Sequence, residues 1–218
     1  MNALYRFAPT ALVMLSAACG DRDRVVKDGE KPPRHETHVV ARGAGWQEVT
    51  ADWPRSSKEA ARFMSDKYGP PDEMTPTELK WFDRGPWKRS IVSREEVPHD
   101  WPSPHVDVLE QVINFRVPPE KAEDLTTFDG SVMFERTKGE MSARCGGEGA
   151  NFLAINLARD IVEDTRSVHD ARRLYEETMK SHEAGRSPEL MKSLLFMPPK
   201  SGTADRDHGA TVSSLDVD

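Results

Sequence analysis

Cys145 is the residue best placed for covalent chemistry in this chain. It follows Glu140–Arg144, a stretch that reads as a strand, and precedes Gly146-Gly147-Glu148-Gly149, a turn leading into an apolar helical run. Free amides and the dipole at such a helix start favour a thiolate, and Arg144 adds positive charge, which is how reactive thiols are activated. The competing reading is structural, since cysteine is among the most buried residue types and packs as a small hydrophobe.

His99 and His105 flank Asp100, with Asp107 and Glu110 behind and Glu95 and Glu96 before. Imidazoles and carboxylates at this density are the raw material of a zinc site or a general base. The six-residue separation runs across Pro102 and Pro104 just after Pro98 and matches no compact metal motif, so an irregular loop without metal or other cofactor is expected. A meeting of Cys145 with His99 or His105 in the fold, with Asp100 or Asp107 orienting the ring, would define a thiol-dependent hydrolase or transferase. The glycines after Cys145 lack the lysine and hydroxyl of a phosphate loop and the spacing of a dinucleotide fingerprint. A turn that lets helix and strand pack closely accounts for them.

Trp81, Trp87 and Trp101 are interleaved with Arg84, Lys88, Arg89 and Arg94. Aromatic and arginine side chains are enriched at recognition surfaces, which makes Trp87, Trp101 and Arg89 the candidate ligand-binding face. The alternative is that the tryptophans belong to the core under a charged sheet.

The elements that must position these groups are legible in the pattern. A helix is expected from about Ser57 to Tyr68, with Ser56 and Glu59 at capping-box spacing and Ala60, Phe63, Met64 and Tyr68 on one face. Strands at Leu79–Phe82 and Trp87–Arg94 flank the turn Asp83-Arg84-Gly85-Pro86 and read as a hairpin. Val106 to Val117 alternates, with Leu109, Ile113, Phe115 and Val117 on one side. A short helix after Pro118 and Pro119, strands at Ser131–Arg136 and Glu140–Arg144, a buried helix at Ala150–Glu163 and an outer helix beginning at Ser167 complete the order. Runs of strands and runs of helices imply an α+β fold, a mainly antiparallel sheet with helices packed on one face.

At 218 residues, 37% hydrophobic and 31% charged, the chain has room for one core of ordinary size. Mean hydropathy is −0.66, the net charge −7 and the pI about 5.6, a field that argues against nucleic acid as a partner. Residues 1–19 carry one arginine, Arg6, then an apolar run too short to span a bilayer comfortably, then small residues ending at Cys19, the layout of an export signal. Residues 20–45 mix charges and prolines and read as a disordered tether, residues 46–197 as the single folded domain, and 198–218 as a disordered tail.

Ser16-Ala17-Ala18-Cys19 resembles the lipobox of bacterial lipoproteins, with Leu15 one place further back than the usual aliphatic residue. The resemblance implies lipidation of Cys19 and an outer-membrane anchor facing the periplasm, Gly20 following the cysteine. With Cys19 acylated, Cys145 has no intramolecular partner. The strings Gly85-Pro86-Trp87-Lys88-Arg89, Val97-Pro98-His99-Asp100-Trp101-Pro102 and Lys138–Cys145 are similar to a family of exported bacterial proteins to which no activity is assigned, so no catalytic role carries over. An envelope-tethered, non-enzymatic binding or scaffolding module, taking an envelope protein or cell-wall ligand as partner, is the first expectation. The thiol-dependent enzyme at Cys145 is the second.

Overall fold

Strand β4 (His105–Asn114), buried along most of its length, sets the plane of the structure. Leu109, Gln111 and Ile113 are fully buried and share one face. The computed structural model describes Gly43 and residues 45–206. Cys19, the leader and nearly all of the expected tether lie outside them, as does the end of the expected tail. Around β4 stands a six-stranded antiparallel sheet in the order β1-β2-β3-β4-β6-β5. The other strands are β1 (Glu73–Met74), β2 (Glu78–Arg84), β3 (Trp87–His99), β5 (Val132–Glu135) and β6 (Glu140–Cys145).

The β2–β3 hairpin turns on Gly85-Pro86, with Arg84 paired to Trp87. Gly85 has φ +60°, the positive value that the first position of a tight hairpin loop requires and glycine adopts without strain. β3 runs five residues beyond the expected Arg94, and its register with β4 shifts between Val92 and Val97. That irregularity absorbs Ser93 to Glu96, of which Glu95 and Glu96 look like loop residues by their charge, and lets pairing resume as far as His99.

The helices are α1 (Trp46–Val49), α2 (Arg55–Tyr68), α3 (Ala122–Phe128), α4 (Glu148–Val162) and α5 (Val168–Glu183). Both α2 and α4 lie on the Gln111 side of the sheet, because the Gln111 amide touches Met64 of α2 and the Glu148 carboxylate of α4. The fold is therefore α+β with helices on one face of an antiparallel sheet. α2 seats Ala60, Ala61 and Met64 in one core cluster with Leu79, Trp81, Val92 and Leu109. α4 buries Phe152, Leu153, Ile155, Leu157 and Ile161 in a second with Ile113, Met141 and Phe128. α5 contributes a narrower stripe, Ala171 and Tyr175, and lies outside α4; its N-cap Ser167 accepts a hydrogen bond from the Asp170 amide.

Two expectations need correction. α2 begins at Arg55 behind Pro54, and Ser56 makes no cap, because Glu59 pairs with Arg55 one turn before it. Residues 198–206 are not a free tail: the buried Thr203 hydroxyl donates to the Gly139 carbonyl, and the Asp205 amide donates to that of Arg136. The contact depends on Gly139, where an added Cβ would fall 2.2 Å from the Thr203 backbone.

Candidate functional site

The antiparallel ladder gathers the site. His99, the last residue of β3, pairs with His105, the first of β4, across a five-residue loop holding Pro102 and Pro104. Asp107, two residues along β4, lies on the same face as His105. Cys145, the last residue of β6, pairs with Leu109 and so shares that face too. The expectation of an irregular loop holds for residues 100–104 but not for the two histidines, which strand pairing places with Asp107 and Cys145 at one corner of the sheet.

Cys145 Sγ lies 3.4 Å from His105 Nε2. The same nitrogen is 3.1 Å from Asp107 Oδ1, while the other oxygen, Oδ2, is 3.4 Å from His99 Nδ1. The outward nitrogens of both rings face oxygen acceptors: His105 Nδ1 is 2.8 Å from the Ser103 carbonyl, and His99 Nε2 is 3.8 Å from Asp129 Oδ1. Asp129 is in turn held by the Ser131 amide and hydroxyl, both at 2.8 Å. Asp107 is 2% exposed, and neither its Oδ1 nor His99 Nδ1 has a hydrogen bond of acceptable geometry.

The electrostatics follow from this crowding. The Asp107 carboxylate, with Cys145 second, raises the His105 imidazolium to about 11 against the opposing effect of burial, and the Ser103 carbonyl adds to the rise. Tyr175, brought in by α5, has its phenol pushed well above the ordinary value by burial, then by the nearby Cys145 and Asp129.

Cys145 and His105 form part of the wall of a cavity of about 440 Å³ with Pro102, Gly147, Tyr175 and Met191. Cys145 is 8% exposed, a sulfur reached through that cavity. The glycine turn closes the junction tightly: a Cβ on Gly146 would sit 3.3 Å from the Val106 carbonyl, consistent with close packing rather than a phosphate loop.

Of the residues anticipated for chemistry, Cys145 and His105 are in contact, and Asp107 rather than Asp100 is the acid. His99 joins them through Asp107, its ring centroid 4.9 Å from that of His105. The anticipated ligand face does not exist as a surface. Trp87 is 1% exposed, stacks on Phe152 and donates its indole N–H to Glu148. Arg89 forms a bidentate pair with Glu140. Trp101 packs on Tyr175 and Phe128 under the Arg172 guanidinium and donates to Glu176. The three belong to separate neighbourhoods, two of them tryptophan sites in or against the core. Asp129, Ser103 and Tyr175 were not anticipated, and of these only Asp129, an acid beside Gly130 at the end of a short helix, carries a local signal.

No family profile, no curated protein and no solved structure matches this chain.

Proposed function

We propose that this chain is an envelope protein, tethered through a lipidated Cys19, whose folded domain acts on a small molecule through the thiol of Cys145. The observation that carries the reading is the 3.4 Å approach of Sγ to His105 Nε2 at the wall of a cavity large enough for a small substrate. The reaction class is thiol-dependent hydrolysis or group transfer. Sγ gives its proton to solvent and attacks an electrophilic carbon, the leaving group departs with the Nε2 proton of the His105 imidazolium, and water, returning a proton to that ring, or a second acceptor then takes the group from sulfur. Asp107 stabilises the positive charge on the ring.

A free thiol is only a few per cent ionised at pH 7, and full ionisation is partly offset by lower intrinsic nucleophilicity. In the folded chain at neutral pH, Cys145 is therefore expected to be carbamidomethylated by iodoacetamide roughly tenfold faster than free cysteine, followed by peptide mass spectrometry. His105→Ala is expected to remove that advantage. A Cys145 that labels only after unfolding in urea overturns the reading.

The tether is tested separately. Intact mass of the chain recovered from membranes is expected to show the first 18 residues removed and acyl chains on Cys19; an unmodified N-terminus at Cys19 or Gly20 ends the lipoprotein proposal.

A further inference from the structure

Two acidic groups face one nitrogen in this site, and a simple thiol–imidazole pair does not need that. In nucleophilic triads the carboxylate orients the ring from the nitrogen remote from the nucleophile. Here that remote nitrogen, His105 Nδ1, is 2.8 Å from the Ser103 carbonyl and is accounted for as its N–H donor. Nε2 is then left to face both Sγ and Asp107 Oδ1, at 3.4 and 3.1 Å. Across the cluster, His99 Nδ1 faces the second Asp107 oxygen in the same way at 3.4 Å, and both His99 Nδ1 and Asp107 Oδ1 are buried without a hydrogen bond. Lone pairs brought together out of water need a cation between them, which is either the proton of the His105 imidazolium or a metal ion that replaces it.

From this juxtaposition we propose that His99 Nδ1, His105 Nε2, Asp107 and Cys145 Sγ form a binding site for a divalent transition metal of the zinc class. The inference rests on the reading of Cys145 as the reacting atom and adds what holds it ionised.

Three features support the metal. The spacing is close: ligands at about 2.0–2.3 Å from tetrahedral zinc lie about 3.3–3.5 Å from one another, and His105 Nε2 is 3.4 Å from Cys145 Sγ and 3.1 Å from Asp107 Oδ1, while His99 Nδ1 is 3.4 Å from the other carboxylate oxygen. The donor atoms of His99, His105 and Asp107 all fall within 4.8 Å of one another; Cys145 Sγ stands at the edge of that group, 3.4 Å from His105 Nε2, and completes it by turning inward. The donor chemistry fits as well, two imidazoles, one carboxylate and one thiolate being a borderline set that suits zinc or cobalt better than calcium or magnesium. Finally, the outer shell has the right sense: metal-bound histidines typically direct the other ring nitrogen at a carbonyl or carboxylate, here Ser103 and Asp129.

As the metal–sulfur bond forms, the thiol proton leaves to solvent, and a coordinated thiol stays deprotonated at neutral pH. The metal thus does for Sγ what the positive His105 imidazolium does in its absence, and the cavity side of the sulfur remains the side from which an electrophile arrives.

The test uses the full chain, stripped with EDTA and titrated with Co(II) in neutral buffer. One Co(II) per chain is expected, with the visible absorption of a tetrahedral ion and a near-ultraviolet sulfur-to-cobalt charge-transfer band, displaced on adding Zn(II). Cys145→Ser is expected to lose the charge-transfer band. His99→Ala and Asp107→Asn, checked for native circular dichroism, are expected to weaken Co(II) binding by at least about tenfold. A native chain that binds no Zn(II)-displaceable Co(II), or a charge-transfer band that survives in Cys145→Ser and therefore belongs to Cys19, overturns the proposal. A Cys145 that labels rapidly in a chain that takes up no Co(II) sinks the metal and leaves the thiol reading. A chain that binds metal as expected while its Cys145 reacts no faster than free cysteine does the opposite.

Discussion

Glu148→Ala is expected to destabilise the folded domain by about 3–5 kcal/mol, the cost of removing one partner from a buried charged network. Glu148 opens α4 and is 3% exposed. Its Oε1 accepts hydrogen bonds from the Tyr68 hydroxyl at 2.6 Å, the Trp87 indole at 2.8 Å and the Gln111 amide at 3.2 Å. Its Oε2 is paired with Lys67. One carboxylate therefore ties α2, β3 and β4 to the start of α4, and its loss leaves the buried Trp87 indole without an acceptor and takes one from the half-buried Tyr68 hydroxyl and from the Gln111 amide, which keeps Ser90. Burial alone would raise the acid, but Lys67, Tyr68 and Trp87 outweigh it and hold it below its usual range. Against a total stability of about 5–15 kcal/mol, such a loss takes up much of the margin. Urea unfolding followed by tryptophan fluorescence measures it; a change under about 1 kcal/mol would show the network to be dispensable.

Acid unfolding is expected to depend on Glu140 on the other face of the sheet. Burial works against its charge, but hydrogen bonds from Arg89 and Lys88 prevail and bring it down from 4.5 to about 2. The Arg89 pair is bidentate, at 2.9 and 2.7 Å, and Lys88 lies at 2.7 Å. Because the folded carboxyl is the stronger acid, the stabilisation is present in full above pH 4.5 and fades as the pH falls through about 2. Its size is about 2–3 kcal/mol. Glu140→Gln is expected to flatten this part of the stability–pH curve while lowering stability at neutral pH. A curve between pH 4.5 and 2 that is unchanged by Glu140→Gln would contradict the assignment.

Strand β4 and helix α4 were readable in the amino-acid order because each buries apolar side chains along most of its length. Leu109 and Ile113 mark the first, and Phe152 to Ile161 the second. The end of β3 was not readable. Glu95, Glu96 and Pro98 look like loop residues, and only pairing with β4 beyond an irregular register makes them strand. The site suffered from the same cause. Cys145, His99, His105 and Asp107 stood out by residue type, but their convergence depends on Val97 pairing with Asp107 and on Leu109 pairing with Cys145. Tyr175 is separated from Cys145 by the whole of α4, so nothing local announces it. The tryptophans misled in the opposite direction, since indole N–H groups that find partners inside, as Trp81 does at the Gly69 carbonyl and Trp87 at Glu148, leave no surface signature.

The sheet is bounded by β1, two residues long, and β5, four. An extended polypeptide arriving at either margin finds only a few rungs on which to dock. Fibril growth by strand addition is thereby starved of a template.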